Sequence, residues 1–265
     1  MSATGYAKAG RRHRLGDYLR DLAAYIIVLV FFLPALWIII TSVRPNVEIN
    51  TRPPVWIPSE ITLDSYKILL GWPTPEGAFG MGGNVPFGDY GRNSIVIATV
   101  STAIALAFGT LAGFAFARFT FKAKNGIFLG MMLARAVPGI ALSLPLFVLF
   151  ARVGLSDSVP GMIITYIALN VPFTAWLMDG FFRAIPAELD EAALIDGCSR
   201  WTAFLRVDLP LALPGAAASG IFAFLTSWNE FALANVITRT PASRTFPPAL
   251  FEFTGQFVSD WRGLC

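Results

Sequence analysis

"NSIVIATVSTAIALAFGTLAGFAFA", residues 93–117, carries no charged side chain and exceeds the roughly 20 apolar residues that a helix needs to cross a hydrocarbon core. Ser101, Ala105, Gly109, Gly113 and Ala117 recur along it at strict i+4 spacing, which lines small residues up on one helix face. A face of that kind lets a second backbone approach closely. The stretch reads as a membrane span, and ordinary helix packing is the expectation for its small-residue stripe.

Four more runs follow the same pattern on either side. Residues 22–40 and 159–178 are uncharged, 126–151 is interrupted only by Arg135, and 209–238 only by Glu230. Of 265 residues, 55% are hydrophobic and 14% charged, too little polar surface to cover a water-soluble globule of this size. The expected fold class is an all-α membrane protein, a helical bundle with five visible spans. Arg11, Arg12, His13, Arg14 and Arg20 precede the first run, as in a secretory signal. Its apolar core is too long for one, however, and Thr41-Ser-Val-Arg-Pro-Asn offers no small-residue cleavage site, so the helix is retained.

Lysines and arginines near span ends set orientation, because short cytoplasmic loops carry the excess. An N-terminus inside puts the basic tail (residues 1–21), then Arg118, Lys122 and Lys124, then Arg183, Arg200 and Arg206 in the cytoplasm. Residues 22–265 form the transmembrane domain. The net charge of +3 is then an orientation signal rather than a nucleic-acid footprint. Cys198 and Cys265 fall on opposite sides without metal-ligand spacing, and the single histidine lies in the tail. No His/Cys cluster, phosphate loop or Ser-His-Asp set supports an enzyme, and no cofactor or metal site is expected on this chain.

The outside loop, about 44–89, is rich in Pro and Gly and cannot be one regular element. Within it "SEITLDSYKILL" reads as a short amphipathic helix, with Ile61, Leu63, Tyr66, Ile68 and Leu69 available to pack on the membrane-facing surface. A docking shelf and a solvated connector are both open.

The insert "ELDEAALIDGCSRWTAFLRVDLP", residues 188–210, is the most charged piece of the second half. Pro186 suits a first helical turn, and Glu188, Asp190 and Glu191 suit the positive end of the helix dipole. Gly197 ends that helix. A second one starts with Ser199 as N-cap, and Trp201, Phe204 and Leu205 are spaced to make one apolar face before Pro210 and Pro214 close it. From physics alone the insert is either a rigid knob for a partner or a connecting hairpin.

Glu191-Ala192-Ala193, three residues, Gly197, nine residues, Val207, Asp208 and Leu209-Pro210 resemble the EAA loop of ABC importer permeases. "VPFTAWLMDGFFRAIPAELDEAALIDG", "FAFLTSWNEFALA" and "PPVWIPSEITLDSYKILL" are similar to the carbohydrate branch of that family, the shorter maltose-type permeases. The resemblance covers nearly the whole chain. It implies a type I importer permease fold in the bacterial inner membrane. Residues 184–210 become the cytoplasmic coupling insert, with Glu191, Ala192, Ala193, Asp196, Gly197, Leu209 and Pro210 at the ATPase contact. The implied partners are a second homologous permease, a cytoplasmic ATPase dimer that holds ATP and Mg, an extracytoplasmic solute-binding protein, membrane lipid and a sugar-like substrate; nucleic acid is not among them. The family core has six spans, so a last helix and tail are expected beyond Cys265.

Ionisable groups at membrane depth usually face protein or a water-filled cavity. Arg135 and Glu230 are thus substrate-pathway candidates, with Trp228 and Asn229 beside Thr226 and Ser227, and with Tyr166 and Asn170 in the fourth span. Aromatic faces and amides suit hydroxyl-rich ligands, while glue between helices or between the two permeases is the plainer alternative. A self-sufficient secondary transporter or channel is the competing class. It lacks an inverted repeat of broken helices and a chain of buried acids.

Overall fold

The computed structural model describes residues 15–49, 51, 53, 55–70, 72 and 86–253. Arg11, Arg12, His13 and Arg14 of the basic tail, the Pro/Gly-rich stretch 73–85, and residues 254–265 with Cys265 lie outside the described residues, as does the side chain of Ile68. Every regular element among the described residues is helical, as the all-α reading requires.

The first compact unit contains α1 (Leu15–Ser42), α2 (Asn46–Ile49) and α3 (Asp64–Leu69). The apolar run 22–40 is one continuous helix, and its spanning window has no buried residue, so it is built to be surrounded by lipid or by other proteins. At its end Arg44 is 1% exposed, donating to the Trp56 carbonyl (3.3 Å) and lying 5.0 Å over the Trp37 ring. The Ser42 and Tyr66 hydroxyls meet at 2.7 Å. The amphipathic helix is shorter than the sequence suggests. It starts at Asp64, an acid favoured in a first turn, which leaves Ile61 and Leu63 ahead of it and exposed.

The second unit runs through α4 (Phe87–Arg118), α5 (Lys124–Ala136), α6 (Gly139–Val153), α7 (Val159–Ala184), α8 (Glu188–Ile195) and α9 (Arg200–Ala203). A π-helical turn (Phe204–Asp208), α10 (Leu209–Leu211), α11 (Leu213–Trp228), α12 (Ala232–Ile237), α13 (Phe246–Ala249) and a 3₁₀ turn (Leu250–Phe253) complete it among the described residues.

The small-residue stripe sets its centre. A Cβ added at Gly109 would lie 2.5 Å from Thr174 Cβ, and one at Gly113 2.6 Å from Met178 Cβ and 2.9 Å from the Ala175 carbonyl. Both pairs have the same offset in sequence, so α4 and α7 run parallel with backbones almost touching. Helix α11 runs antiparallel to both: Ser227 meets Ser101 (3.3 Å) and Asn170 (2.9 Å), while Gly215 and Gly220, further back on α11, face Phe181 and Leu106.

Two expected spans are not single helices. The run 126–151 breaks at Val137–Pro138, and α5 and α6 meet at 96°. Pro138 has no N–H for the Ala134 carbonyl and drives Val137 into extended backbone, ending α5. The run 209–238 bends by 73° at Ala212, between Pro210 and Pro214, and stops at Trp228. Three helices (α1, α4 and α7) are long and apolar enough to cross a membrane alone, and the count reaches five if each bent pair is one span.

Candidate functional site

The insert is a knob locked at its corner. Gly197 has φ +87°, a left-handed conformation that side-chain-bearing residues avoid. It closes a Schellman cap on α8: Cys198 N–H donates to the Ala193 carbonyl (3.0 Å) and Gly197 N–H to that of Leu194 (3.1 Å). Ser199 caps α9 by accepting from Thr202 N–H (3.1 Å), as its position predicts. Pro186 precedes the first turn rather than standing in it, and its carbonyl accepts from Leu189 N–H. The expected apolar face of Trp201, Phe204 and Leu205 forms only in part: the Trp201 and Phe204 rings pack with centroids 5.3 Å apart, and Leu205 is exposed. After one turn of α9 the chain winds into the π-turn; Phe204 is buried against Phe114 and Phe182, and Trp201 covers it from the outside with most of its own surface exposed. Of the motif residues, Ala193 is buried and Leu209 packs on the Phe204 cluster. Glu191, Ala192, Asp196, Gly197 and Pro210 are exposed. Beside them stand two bare apolar groups, Ile195 at 85% and Trp201 at 59% exposure.

Under the knob lies a cluster that the sequence does not announce. Arg118, the last residue of α4, donates to the Ile185 carbonyl from both terminal nitrogens (3.2 Å each). Its Nε lies 2.7 Å from Asp190 Oδ2, and one terminal nitrogen lies 3.1 Å from Asp208 Oδ1. The Arg118 and Asp208 side chains are 11% and 1% exposed. Burial together with the neighbouring Asp208 carboxyl pushes the Asp190 carboxyl up to about 6, against the pull of Arg118 and Arg200. In the sequence Arg118 reads as an orientation charge and Asp208 as one residue of the loop motif, and nothing local pairs them, because 90 residues separate them.

At the opposite end of the bundle Asp157, at φ +51°, accepts from the N–H groups of Arg239 (2.7 Å) and Thr240 (3.0 Å) and from the Ser243 hydroxyl. Burial alone would raise its carboxyl, but these hydrogen bonds outweigh that and hold it at about 2.

The membrane-depth candidates separate into two groups. Tyr166 and Asn170 are buried inside the bundle: the Tyr166 hydroxyl donates to Glu230 (3.1 Å) and the Asn170 amide nitrogen to Ser227 (2.9 Å), while the Asn170 Oδ1 has no hydrogen-bond partner among the described residues. Glu230 stands in the break after α11 rather than inside a span, accepting from Leu233 N–H (2.9 Å) and Ala234 N–H (3.0 Å), so it caps α12. Asn229 donates to the Leu225 carbonyl (2.9 Å), Thr226 to that of Phe222, and Trp228 stacks on Phe224. Arg135 lies apart from them. It donates to the Leu169 carbonyl (3.2 Å) and lies 4.3 Å over the Phe173 ring, level with the middle of α7. It reaches α7 rather than the carbonyls freed near Pro138. Arg135 borders a mostly apolar cavity of about 310 Å³ with Leu142, Leu146, Phe150, Thr165, Leu169 and Pro172.

Apolar helices broken at proline, a bundle closed by glycine contacts and a locked polar knob define a multi-pass membrane permease. The chain belongs to the binding-protein-dependent transport system inner membrane components, whose family model matches residues 105–258. It is similar to the diacetylchitobiose uptake system permease protein DasC of Streptomyces coelicolor, 30% identical over 95% of this chain and 87% of the relative. The sulfoquinovosyl glycerol permease SmoH of Agrobacterium fabrum is 33% identical over 93% of this chain and 82% of its own. The trehalose permease SugB of Mycobacterium tuberculosis is 34% identical over 84% and 76%. The fold matches that of a bacterial ABC transporter involved in import of the acidic polysaccharide alginate, with a TM-score of 0.71 at 20% identity, covering 91% of this chain and 82% of that one.

Proposed function

We propose that this chain is the transmembrane permease of an ABC importer for a sugar, polyol or sugar derivative, itself non-catalytic. Residues 184–210 seat in a partner ATPase dimer that binds ATP and Mg, residues 22–265 carry the pathway with a second permease, and a solute-binding protein delivers substrate from outside. The knob carries this reading: a glycine-cornered, doubly capped scaffold that holds Ile195 and Trp201 bare beside acidic residues suits a protein socket better than water. Diacetylchitobiose, sulfoquinovosyl glycerol and trehalose, named for the relatives, share a hydroxyl-rich glycoside chemistry, which supports the substrate class. The N-terminus and the knob face the cytoplasm.

The test is affinity purification of the tagged chain from its native membrane. An ATPase and a second permease should co-purify, and Cys198 should react with a membrane-impermeant thiol reagent only in inside-out vesicles. A purified chain without an ATPase that still catalyses uptake would establish a self-sufficient carrier instead.

A further inference from the structure

Two chain connections join the knob to the bundle, the 185–187 link from α7 and the π-turn with α10 leading to α11. Two points of attachment define an axis, and a body held at two points can rock about it. Helix α4 has no chain connection to the knob, because it runs on into the turn before α5. Its last side chain nevertheless reaches the base of the knob at three places. The Arg118 guanidinium holds Ile185 at one attachment, Asp208 at the other, and Asp190 on α8 itself. Asp190 supplies a third point of attachment, on the knob itself.

We propose that Arg118 is a positioning residue for energy coupling, pinning α8 to the end of α4 so that knob and bundle move as one body; this rests on reading the knob as the ATPase contact.

The chemistry of the site favours that role. A guanidinium is a planar fork with five donors, and here it serves two carboxylates and a carbonyl at once, which a lysine ammonium on a flexible stem does not reproduce. The contacts are largely shielded from water, so solvent competes poorly for them. The remaining cation at the site, Arg200, lies 5.6 Å over the Phe119 ring and lines the same small gap as Asp190 and Asp208. It lowers the charge imbalance without adding a second fork. Phe114, Phe182 and Phe204 give the base of the knob an apolar floor, but such contacts slide more readily than a guanidinium held at three points turns.

The experiment uses the complete importer in proteoliposomes and reads substrate molecules transported per ATP hydrolysed, a ratio that a merely structural role would leave unchanged in assembled complexes. Arg118→Gln should assemble and lower that ratio roughly tenfold or more, the effect of losing buried hydrogen bonds to a charged group. Arg118→Lys should recover only part of it. Asp190→Ala, which removes the oxygens that meet Arg118 and with them the third attachment, should lower the ratio by about threefold or more, and adding it to Arg118→Gln should bring little further loss. Asp190→Ala with the wild-type ratio overturns the pin, however Arg118→Gln assembles. A wild-type preparation that contains no ATPase overturns the importer reading itself, a distinct result.

Discussion

Replacing Gly113 by alanine tests the closest approach in the bundle. The new methyl carbon would stand 2.6 Å from Met178 Cβ and 2.9 Å from both the Ala175 carbonyl oxygen and the Asp179 amide nitrogen. Carbon atoms in contact prefer about 3.5–4.0 Å, so the shortfall is about 1 Å. Two of the three neighbours are backbone, which no rotamer change can move aside, so α4 and α7 must part. Overpacking of that kind costs about 1–3 kcal/mol. The substitution also gains helix propensity, about 1 kcal/mol for alanine over glycine, which would mask part of the loss. Gly180→Ala supplies the correction: it lies on α7 with nothing within 4 Å of its added Cβ, so it gains propensity without the clash. The difference between the two variants isolates the clash. In an SDS titration of the purified transporter in mixed micelles, Gly113→Ala should unfold about 1–3 kcal/mol more easily than Gly180→Ala. Equal stability, within about 0.5 kcal/mol, would refute the close α4–α7 contact.

Gly197→Val should leave the complex assembled but uncouple transport from ATP hydrolysis, because a β-branched residue at φ +87° strains the corner; wild-type coupling would remove the corner from the mechanism. Asp190 has a folded value raised from 3.8 to about 6, so its proton stabilises the knob fully below 3.8 and that contribution is lost as pH rises through about 6. Amide exchange across residues 188–211, corrected for intrinsic rates, should slow on going from pH about 7 to about 5 in the wild type and stay level in Asp190→Asn. Asp157 behaves oppositely: its folded value near 2 lies below 3.8, so its stabilisation is present above 3.8 and fades as pH falls through about 2. Asp157→Asn should lower stability at neutral pH by about 1–2 kcal/mol in the same SDS titration. Arg135→Gln gives up one carbonyl and one ring face, so an assembled complex with reduced uptake is expected; undiminished uptake would take Arg135 out of the substrate pathway.

The features legible in the sequence are those set by local spacing. The stripe from Ser101 to Gly113 predicts its own packing face, because small residues one turn apart leave a groove wherever the helix lies. Gly197 and Ser199 predict the corner and the cap for the same reason. Breaks within apolar runs were harder to see, since Pro138 is as apolar as its neighbours and only the backbone records that α5 ends there. Glu230 reads as a costly charge in a span until α11 stops at Trp228 and makes it the cap of the next helix. Arg118 and Asp208 were out of reach because neither has a local partner, and the π-turn that brings Asp208 under the knob has no simple sequence signature.

The 96° break between α5 and α6 bears on solvation. A helix stopped at mid-bilayer leaves carbonyls of its last turn and amides of the next first turn without ladder partners, and hydrocarbon offers them nothing. Such backbone is stable only against another protein chain or against water. The break lies level with the middle of α7 with a guanidinium alongside, so a membrane around the bundle requires protein or water to cover it there. Where the cover is water, a solute covered in hydroxyl groups would shed its own hydration shell at lower cost, because such a wall already holds hydrogen-bonding groups to replace it.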